Sequence, residues 1–469
     1  MQPIAAQILF EGLTQPEQLQ GKTITAVVTD SRAICEGCVF VCFVGQRVDG
    51  HDFALQALEQ GAAFVVANHP LEGADPSRVI VCPDSKQAMI QMGENYRRQF
   101  HPKVVGITGS VGKTTTKEFC AAVLSRGGKI IKTQGNQNNE IGVPNTLFQL
   151  EQDTQFAVVE MGMSALGEIS QLSRAAKPDV GIITCIGVSH MESLGSKENI
   201  RKAKLEICEG LPSGAPLILN GDDPMLRQAQ YEGLLPTHVR PIWYSTEDDG
   251  ADVWASEIVF TQKGQRFWLN DRKHGRFWVE IPALGVHTIR DALAAYTAGV
   301  ALGLSPEECA KALEDYQPAP LRQSLRTVAD VLFVEDCYNA SPDSMKASLV
   351  MFCQIPCEGV RIAFLGDMLE LGELSQQAHY EVGELVMQTG MKFLVAVGEQ
   401  SKVMVERARE LGVKSVWCET LEEAVGALYL MCEPGDAVLV KASRGMQLEK
   451  ALHQLYPRLE QDTKLKERK

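Results

Sequence analysis

The sequence has no long apolar run, no excess of positive charge and no pattern of paired cysteines, and each absence excludes a class of protein. No apolar stretch approaches the roughly 18–20 residues that span a bilayer. The 469 residues carry a formal net charge of −14, which argues against nucleic-acid-binding and anionic-membrane surfaces, because both need a basic face. The first residues also lack the basic and apolar segments of an export signal. We therefore expect a cytoplasmic protein with no nucleic-acid partner and no membrane insertion.

Cysteine is present, but the spacing of the cysteines does not indicate a disulfide framework. Thirteen cysteines, an odd number scattered along a large chain, favour a reducing compartment over disulfide bonding. Cys35-x-x-Cys38, with Cys42 nearby, has the spacing of half a zinc site, but no second pair with matching spacing follows. We interpret these thiols as structural, with zinc binding as the minor alternative.

Length and composition predict a soluble protein of several domains. The apolar fraction of 45% and the charged fraction of 22% are ordinary for globular proteins. The chain is too long for one core, so about three domains are expected. Pro102 and the stiff segment 318–320 (PAP) mark changes of pattern, and we place the domains at 1–101, 102–316 and 317–469.

Alternating strands and helices predict an α/β fold with parallel sheets. In the second domain, unbroken apolar runs at Phe156–Glu160, 180–186 and Pro216–Asn220 are typical of parallel strands buried on both faces. The region 253–281 alternates instead, which predicts an antiparallel insertion. The third domain repeats a strand followed by a helix, which predicts right-handed βαβ units and an open sheet.

The most informative stretch is a glycine loop at 106–115 (GITGSVGKTT). It lies between an apolar strand and a helical pattern, so its backbone N–H groups are expected to converge on phosphate at the helix amino terminus. Lys113 supplies a charge for the β- and γ-phosphates, and the Thr114 hydroxyl is placed to bind Mg²⁺. The spacing departs from the common phosphate loop, because Ile107 stands where the first glycine belongs. The loop predicts binding of a nucleoside triphosphate.

Polar residues follow the next two strands of the second domain. Glu160 ends the first strand, and His190 comes after the second. Ligands of open parallel sheets bind at the carboxyl ends of strands, so both residues are candidates for holding a divalent metal beside the glycine loop. The basic run 202–207 (KAKLEI) on the next helix is, from its chemistry alone, interpreted as a solvated face.

The third domain places polar groups after three of its strands. These segments are 335–344 (EDCYNASPDS), 366–373 (GDMLELGE) and 441–445 (KASRG). Asp336 is placed like the acidic residue that binds a ribose hydroxyl. Three such segments along one edge of a sheet predict a binding face that opposes the nucleotide.

Taken together, these motifs resemble those of the Mur ligases, which build peptidoglycan precursors. The resemblance runs almost end to end, and its most specific part is the pair of third-domain segments YNASPDSM and GDMLELGE. The other matching segments are TDSR at 29–32, DGHDF at 49–53, the glycine loop, NQNNEIGVP at 136–144, EMG at 160–162, AKLEI at 203–207 and NGDDP at 220–224. The resemblance implies a small α/β amino-terminal domain for a UDP-sugar peptide, a central P-loop ATPase domain with a parallel sheet, and a carboxy-terminal Rossmann-like ligase domain.

The resemblance also implies an activity. It predicts an ATP- and Mg²⁺-dependent ligase that joins D-alanyl-D-alanine to the terminal carboxylate of UDP-N-acetylmuramoyl-tripeptide through an acyl phosphate. The expected partners are these small molecules, and the expected state is a monomer. Two alternatives stay open: a Mur-type ligase with another acceptor, and a Mur-like protein that binds nucleotide without catalysis. A GTPase-type switch is not supported, because no N-K-x-D-type base-reading motif is present.

Individual roles follow from the same resemblance. Lys113, Lys204 and His190 are expected to be catalytic, and the metal would be held by Thr114, Glu160, His190 and Lys204, the last as a carbamate, which reverses the solvated-face interpretation. The expected ATP-binding residues are Gly109, Ser110, Gly112, Lys113, Thr114, Thr115, Asn138, Asp291, Arg322 and Asp336. The expected substrate-binding residues are Ser31, Arg32, Asn139, Tyr338, Asn339, Ser443 and Arg444.

The segment expected on the adenine side departs from the family pattern. Thr288 and Asp291 stand where asparagine is usual. A carboxylate at 291 accepts a hydrogen bond from the adenine amino group but cannot donate one as asparagine does. The adenine contact expected at Asp291 therefore differs from the one that asparagine makes in the family.

Overall fold

Four sheets organise the chain in the computed structural model, which describes residues 1–14, 19–45, 48–189, 191–261, 264–318 and 321–466. The sheets have two, four, nine and six strands, and they follow one another along the chain in that order. The predicted α/β class and the predominance of parallel pairing are confirmed.

The amino-terminal part holds two small sheets. Strands β1 and β2 pair antiparallel, and β3–β6 form a parallel sheet in chain order. The strands are β1 (Ile4–Ala5), β2 (Thr23–Ile24), β3 (Val27–Val28), β4 (Val39–Val41), β5 (Phe64–Ala67) and β6 (Val79–Val81), and the helices are α1 (Ala6–Leu9), α2 (Ala54–Glu59) and α3 (Ser85–Arg97).

The central sheet has the order β15-β14-β13-β12-β11-β10-β7-β9-β8. Its strands are β7 (Lys103–Thr108), β8 (Ile130–Lys132), β9 (Phe156–Glu160), β10 (Val180–Ile183), β11 (Pro216–Asn220), β12 (Arg240–Ser245), β13 (Val253–Thr261), β14 (Gly264–Asp271) and β15 (Gly275–Ile281). Its helices are α4 (Lys113–Leu124), α5 (Gly142–Leu147), α6 (Glu168–Ala176), α7 (Met191–Leu194), α8 (Lys197–Leu205), α9 (Pro224–Tyr231), α10 (Val286–Ala301) and α11 (Pro306–Ala312). The strands from β7 to β13 are parallel, and β14 and β15 add the predicted antiparallel extension.

The third sheet has the order β16-β17-β21-β18-β19-β20. Its strands are β16 (Ser324–Val328), β17 (Val331–Glu335), β18 (Arg361–Gly366), β19 (Phe393–Val397), β20 (Lys414–Cys418) and β21 (Ala437–Lys441), and its helices are α12 (Pro342–Gln354), α13 (Ser375–Gln388), α14 (Ser401–Glu410), α15 (Leu421–Met431) and α16 (Glu449–Lys466). Five strands are parallel as predicted, and β16 is an antiparallel edge strand that the pattern did not indicate.

One strand boundary in the central domain was predicted wrongly. The apolar run 180–186 was expected to be a strand throughout, but β10 ends at Ile183. The chain then turns towards the glycine loop, where the Cys185 carbonyl accepts from Ser110 N at 3.0 Å, and Ile186 N donates to the Asp223 carboxylate at 2.7 Å. These bonds replace the sheet ladder, so apolar composition alone did not mark the end of the strand.

Apolar packing covers both faces of the central sheet and also joins it to the third sheet. Successive residues of β7, Val104 and Val105, are fully buried in two different clusters on opposite faces of the sheet, as expected for a parallel strand. Leu284 precedes α10, yet it is buried among Met345, Leu349 and other side chains of the third sheet's layer. Within the described ranges, no helix combines the length and the apolar character needed to cross a membrane.

Candidate active site

A cavity of about 680 Å³ lies between the carboxyl ends of the central strands and the third sheet. The central domain contributes the glycine loop, the segment around Asn138 and the start of α10. The third sheet contributes Asp336, Tyr338 and the loop after β21. The carboxyl ends of parallel strands in both sheets therefore face one shared space, which is where open α/β sheets bind ligands.

The glycine loop has the backbone geometry of an anion cradle. Gly109 and Gly112 have φ values of +146° and +85°, which other residues rarely adopt. A β-carbon at 109 would overlap the Thr184 side chain, and one at 112 would lie 2.7 Å from Asp291 Oδ1. The loop ends in α4, whose first backbone N–H groups have no intrahelical partner and carry the positive end of the helix dipole.

The half-buried Lys113 lies folded back over this loop. Its ammonium donates to the carbonyls of Gly109 at 2.7 Å and Ser110 at 3.3 Å. Burial lowers the pKa of Lys113 from its ordinary value, while nearby Glu160 partly offsets that effect. The ammonium is thus held at the mouth of the loop by neutral carbonyls, and it forms no ion pair with the residues that the structure describes.

Glu160 ends β9 directly beneath the loop, and its carboxylate is buried. Thr114 Oγ1 donates to one carboxylate oxygen at 3.0 Å, and Asn138 Nδ2 donates to the other at 2.9 Å. The buried ammonium of Lys117 lies 3.7 Å from Glu160 and 3.3 Å from Glu118. The structure therefore brings together three residues that the sequence had separated, Thr114, Asn138 and Glu160.

Lys204 is buried on α8, with a relative exposure of 1%, whereas Lys202 on the same helix is exposed. The solvated-face interpretation is therefore wrong for Lys204, because the helix turns this side chain towards the core. Burial lowers the pKa of Lys204 well below its ordinary value, and the positive charge of nearby Lys113 adds to that effect. Among the described residues, no hydrogen bond or ion pair compensates its charge.

Asp291 lies behind the glycine loop, on the first turns of α10. Its Oδ1 accepts a hydrogen bond from Thr116 Oγ1 at 2.9 Å, and burial raises the pKa of Asp291 to about 7. Thr288 is buried and donates to the Gly285 carbonyl at 2.8 Å. Both departures from the family pattern are thus accommodated by local partners, and Asp291 also lines the cavity.

The third-sheet wall is built around a buried ion pair. Lys441 Nζ lies 2.7 Å from Asp336 Oδ2 and donates to the Asn339 carbonyl at 3.1 Å. Ser348 Oγ donates to the same Asp336 oxygen at 2.6 Å. Ser443 accepts from the backbone of Leu369 at 2.9 Å, which ties the segment 366–373 to the loop after β21.

An aromatic ring on this wall carries two guanidinium groups. Arg322 lies 4.2 Å from the centroid of the Tyr338 ring, and Arg444 lies 5.9 Å from it. Arg444 also pairs with Glu449 at 2.7 Å. Burial raises the pKa of Tyr338 from its ordinary value. These cations give the wall local positive charge in a protein that is acidic overall.

Not all predicted residues reach this cavity. Ser31 and Arg32 lie on a short 3₁₀ turn of the amino-terminal part, where the exposed Arg32 pairs with Asp30 at 2.6 Å. The hydrogen bonds from Arg32 hold the pKa of Asp30 at about 2. His190 lies outside the described residues, and so do residues 319–320 of the predicted linker. Asn139 and Thr115 line the cavity as expected.

Several cavity residues were not singled out from the sequence. Tyr316 stacks on Phe119 with ring centroids 3.8 Å apart, and it lines the cavity with His287 and Gln323. Burial lowers the pKa of His287 to about 4. Lys117 lies beside Glu160 and does not line the cavity; it had a recognisable signal in the sequence, since it falls inside the TTTKE run that extends the glycine loop.

Comparison with known proteins matches each part of the chain to one family. Three family models fit: "Mur ligase family, catalytic domain" at 23–105, "Mur ligase middle domain" at 107–299, and "Mur ligase, glutamate ligase domain" at 322–444. The UDP-N-acetylmuramoyl-tripeptide–D-alanyl-D-alanine ligase of Bacillus subtilis (strain 168) is 36% identical over 95% of this chain and 96% of its own length.

Solved structures give the same result. A crystal structure of MurF from Acinetobacter baumannii has a TM-score of 0.87 at 30% identity and covers 97% of this chain and 99% of that one. MurF from Thermotoga maritima in complex with ADP has a TM-score of 0.83 at 28% identity, covering 93% and 98%. Because the three family models together match most of the chain and a relative at 36% identity is matched over nearly its whole length, the chain belongs to the Mur ligase family.

Proposed function

We propose that this protein is an ATP-dependent ligase that joins D-alanyl-D-alanine to the terminal carboxylate of UDP-N-acetylmuramoyl-tripeptide in peptidoglycan precursor synthesis. The observation that carries the proposal is the shared cavity, in which the phosphate-binding loop faces the two most specific third-domain segments. Tyr338 and Asn339 come from one segment, and Leu369 and Leu371 from the other. The protein would act as a monomer in the cytoplasm.

The donor set beneath the loop fits Mg²⁺, which prefers oxygen ligands. Thr114 and Glu160 would hold the ion, with His190 and a modified Lys204 completing a second site. When bound, Mg²⁺ neutralises charge that develops on the transferred phosphoryl group. Lys117 Nζ lies 3.7 Å from Glu160 Oε2, so this carboxylate is paired with a protein cation.

Lys204 has the properties that carbamylation needs. An amine reacts with carbon dioxide as the neutral base, and burial lowers the pKa of Lys204 well below its ordinary value. Carbamylation would replace an amine whose protonated form is disfavoured by burial with an anion, and nearby Lys113 would offset the cost of burying that anion. The new carboxylate would then face the positive charge of Lys113.

The reaction would proceed in two displacements within the cavity. The tripeptide carboxylate oxygen attacks the γ-phosphorus, and the bond from phosphorus to the β,γ-bridging oxygen breaks, which releases ADP and leaves an acyl phosphate. The D-alanyl-D-alanine amine, having lost a proton, then attacks the acyl carbon, and the C–O bond to phosphate breaks. Lys113 and Arg322 would stabilise the transferred phosphoryl charge, and no side-chain nucleophile is required.

The remaining residues would hold the ligands in place. Gly109, Ser110, Gly112 and Thr115 would contact ATP phosphates, with Asn138, Asp291 and Asp336 also serving ATP. Asn139, Tyr338, Asn339, Ser443 and Arg444 would contact the peptide substrates. Ser31 and Arg32 would bind the uridine diphosphate end, and the exposed Arg32 side chain is free to exchange its Asp30 partner for a phosphate. The domains would span 1–101, 102–316 and 317–469.

Isotope transfer tests this chemistry. With ¹⁸O in the terminal carboxylate of the tripeptide, the acyl-phosphate route places one labelled oxygen in the released phosphate for each amide formed. Unlabelled phosphate alongside amide product would contradict the proposed route. Replacing D-alanyl-D-alanine by single amino acids in the same assay tests the alternative of a different acceptor.

A further inference from the structure

The loop after β10 is held by side chains from three separate segments of the chain. Ile186 N donates to Asp223 at 2.7 Å, and Gly187 N donates to Ser110 Oγ at 2.8 Å. Val188 N donates to Asp343 Oδ2 at 3.2 Å. The first partner follows β11, the second belongs to the glycine loop, and the third lies on α12 in the third domain.

Of these three partners, only Asp343 belongs to the third domain, so only Asp343 would separate from the loop if that domain moved. Asp343 occupies the first turn of α12, directly after Pro342, where the helix dipole favours a carboxylate. One oxygen nevertheless points across the domain boundary to the Val188 backbone. Farther along the chain, on α7, Glu192 faces the third domain, where a β-carbon added at Gly372 would lie 3.5 Å from Glu192 Cγ. The third domain thus contacts this segment at two places.

Gly187 sets the distance between the two domains at this point. Its φ is not in the left-handed region, so the backbone conformation does not require glycine. Space does: a β-carbon at 187 would overlap Asp343 Oδ2 and would lie 3.2 Å from Ser110 Cβ. Position 187 therefore has no room for a side chain between the phosphate-binding loop on one side and the third domain on the other.

Two residues after Gly187, the chain reaches the cavity. Ser189 lines the cavity, and the metal ligand expected at 190 is next in the sequence. A shift of the Gly187–Val188 backbone would move this cavity wall relative to Ser110. The hydrogen bond at Val188 N therefore connects the third domain to the backbone that is bonded to the phosphate-binding loop through Gly187 N.

We propose that Asp343 is a positioning residue that fixes the loop after β10 against the phosphate-binding loop once the third domain has docked. The inference rests on the proposed ligase function. It assigns to Asp343 a role through the backbone of Gly187 and Val188, with no direct contact to substrate. Docking of the acceptor-binding domain would in this way complete the phosphate site.

Variants at Asp343 test the link. Asp343 is exposed, so solvent keeps this charge-assisted hydrogen bond near the lower end of about 1.5–3 kcal/mol, which corresponds to about a tenfold loss. We expect Asp343→Ala to lower kcat by about tenfold, with unchanged unfolding temperature and unchanged affinity for an ATP analogue. Asp343→Asn, whose amide oxygen still accepts from Val188 N, should retain most of the activity. The matched control is Lys346→Ala, an exposed residue of the same helix, which should behave as wild type.

A double-variant cycle with Gly187→Ala gives the sharpest outcome. Gly187→Ala should lower kcat severely in the wild-type background. The loss should be much smaller when Asp343 is already alanine, because the carboxylate oxygen that the added β-carbon would overlap is then absent. The glycine control is Gly426→Ala, where nothing lies within 4 Å of the added carbon. Additive effects of the two changes, or an Asp343→Ala enzyme equal to Lys346→Ala, would overturn the proposal. Wild-type enzyme without ligase activity would instead refute the proposed function, so the two failures are distinguishable.

Discussion

Lys202 and Lys204 lie two positions apart on α8, and their surroundings differ completely. Lys202 is exposed, whereas Lys204 is buried near Lys113 and has a pKa held well below its ordinary value. Charge patterning alone could not separate the two lysines, because a run of basic residues says nothing about which side of the helix is covered. The resemblance to the Mur ligases identified Lys204, and burial provides the physical reason.

Replacing Lys204 should therefore remove most of the activity. We expect Lys204→Ala to lower turnover by about 100-fold, since losing a group that supports a metal site typically costs 10–100-fold. Short carboxylic acids such as acetate should restore part of the rate by occupying the space left by a carbamate. The matched control, Lys202→Ala, should keep wild-type turnover. Unchanged turnover in Lys204→Ala would contradict the assignment.

Asp291 makes folding stability depend on pH in a defined direction. Its folded-state pKa of about 7 lies above the ordinary 3.8, so the folded protein keeps a proton that the unfolded chain releases. The contribution to stability is present at low pH and is lost as pH rises towards about 7. Asparagine does not titrate.

The variant Asp291→Asn should thus gain stability relative to wild type as pH increases. Between about pH 5 and about pH 8, the difference in unfolding free energy should shift in favour of the variant by about 3 kcal/mol, which is two pKa units at 1.4 kcal/mol each. Urea unfolding at the two pH values measures this shift. A difference independent of pH would show that Asp291 is ionised in the folded protein.

At the scale of elements, the strand–loop–helix unit around α4 is the part best predicted from sequence. Gly112 requires its positive φ, and the close approach of Asp291 adds a steric requirement. We expect Gly112→Ala to lower ATP turnover by about 100-fold, because a displacement near 1 Å can cost that much. Adding Asp291→Asn should not rescue it, since the backbone strain remains.

The control for this change is again Gly426→Ala on α15. It should leave turnover unchanged and raise stability by about 0.5–1 kcal/mol, as expected for removing a helical glycine. Circular dichroism would check that Gly112→Ala remains folded. Full activity in Gly112→Ala would exclude the proposed cradle geometry.

The local hydrophobic pattern predicted the buried strands well. It failed where contacts between distant residues determine the end of a strand or the partners of a side chain. The end of β10 at Ile183 depends on Ser110 and Asp223, which lie far away in the sequence. Asp336 is bonded to Lys441 on β21 and to Ser348 on α12, two elements that are distant from it in the sequence. Neither set of contacts has a periodicity that a single sequence displays, whereas the glycine loop carries its geometry in consecutive residues.

For the whole molecule, docking of the third domain is the feature on which the site depends. Leu284 of the central domain is only 5% exposed, buried in the third sheet's apolar layer. Truncating a buried leucine to alanine lowers the free energy of unfolding by about 2–5 kcal/mol. Because Leu284 packs between domains, part of this loss weakens the association of the third domain with the central one. We expect Leu284→Ala to lower kcat by about tenfold or more and to increase the radius of gyration measured by X-ray scattering.

The control for docking is Leu430→Ala, which removes a leucine that is 84% exposed on α15. It should change neither the scattering profile nor turnover. If Leu284→Ala matched this control in both measurements, the apolar contact would not be the element that holds the domains together.

Phosphate release reports directly on the proposed ligase reaction. The full-length protein is supplied with ATP, Mg²⁺ and UDP-N-acetylmuramoyl-tripeptide, with and without D-alanyl-D-alanine. We expect sustained release only when both the tripeptide and D-alanyl-D-alanine are present, with one amide formed for each phosphate. Release that is indifferent to D-alanyl-D-alanine, or that is supported equally by a single amino acid, would contradict the proposed function.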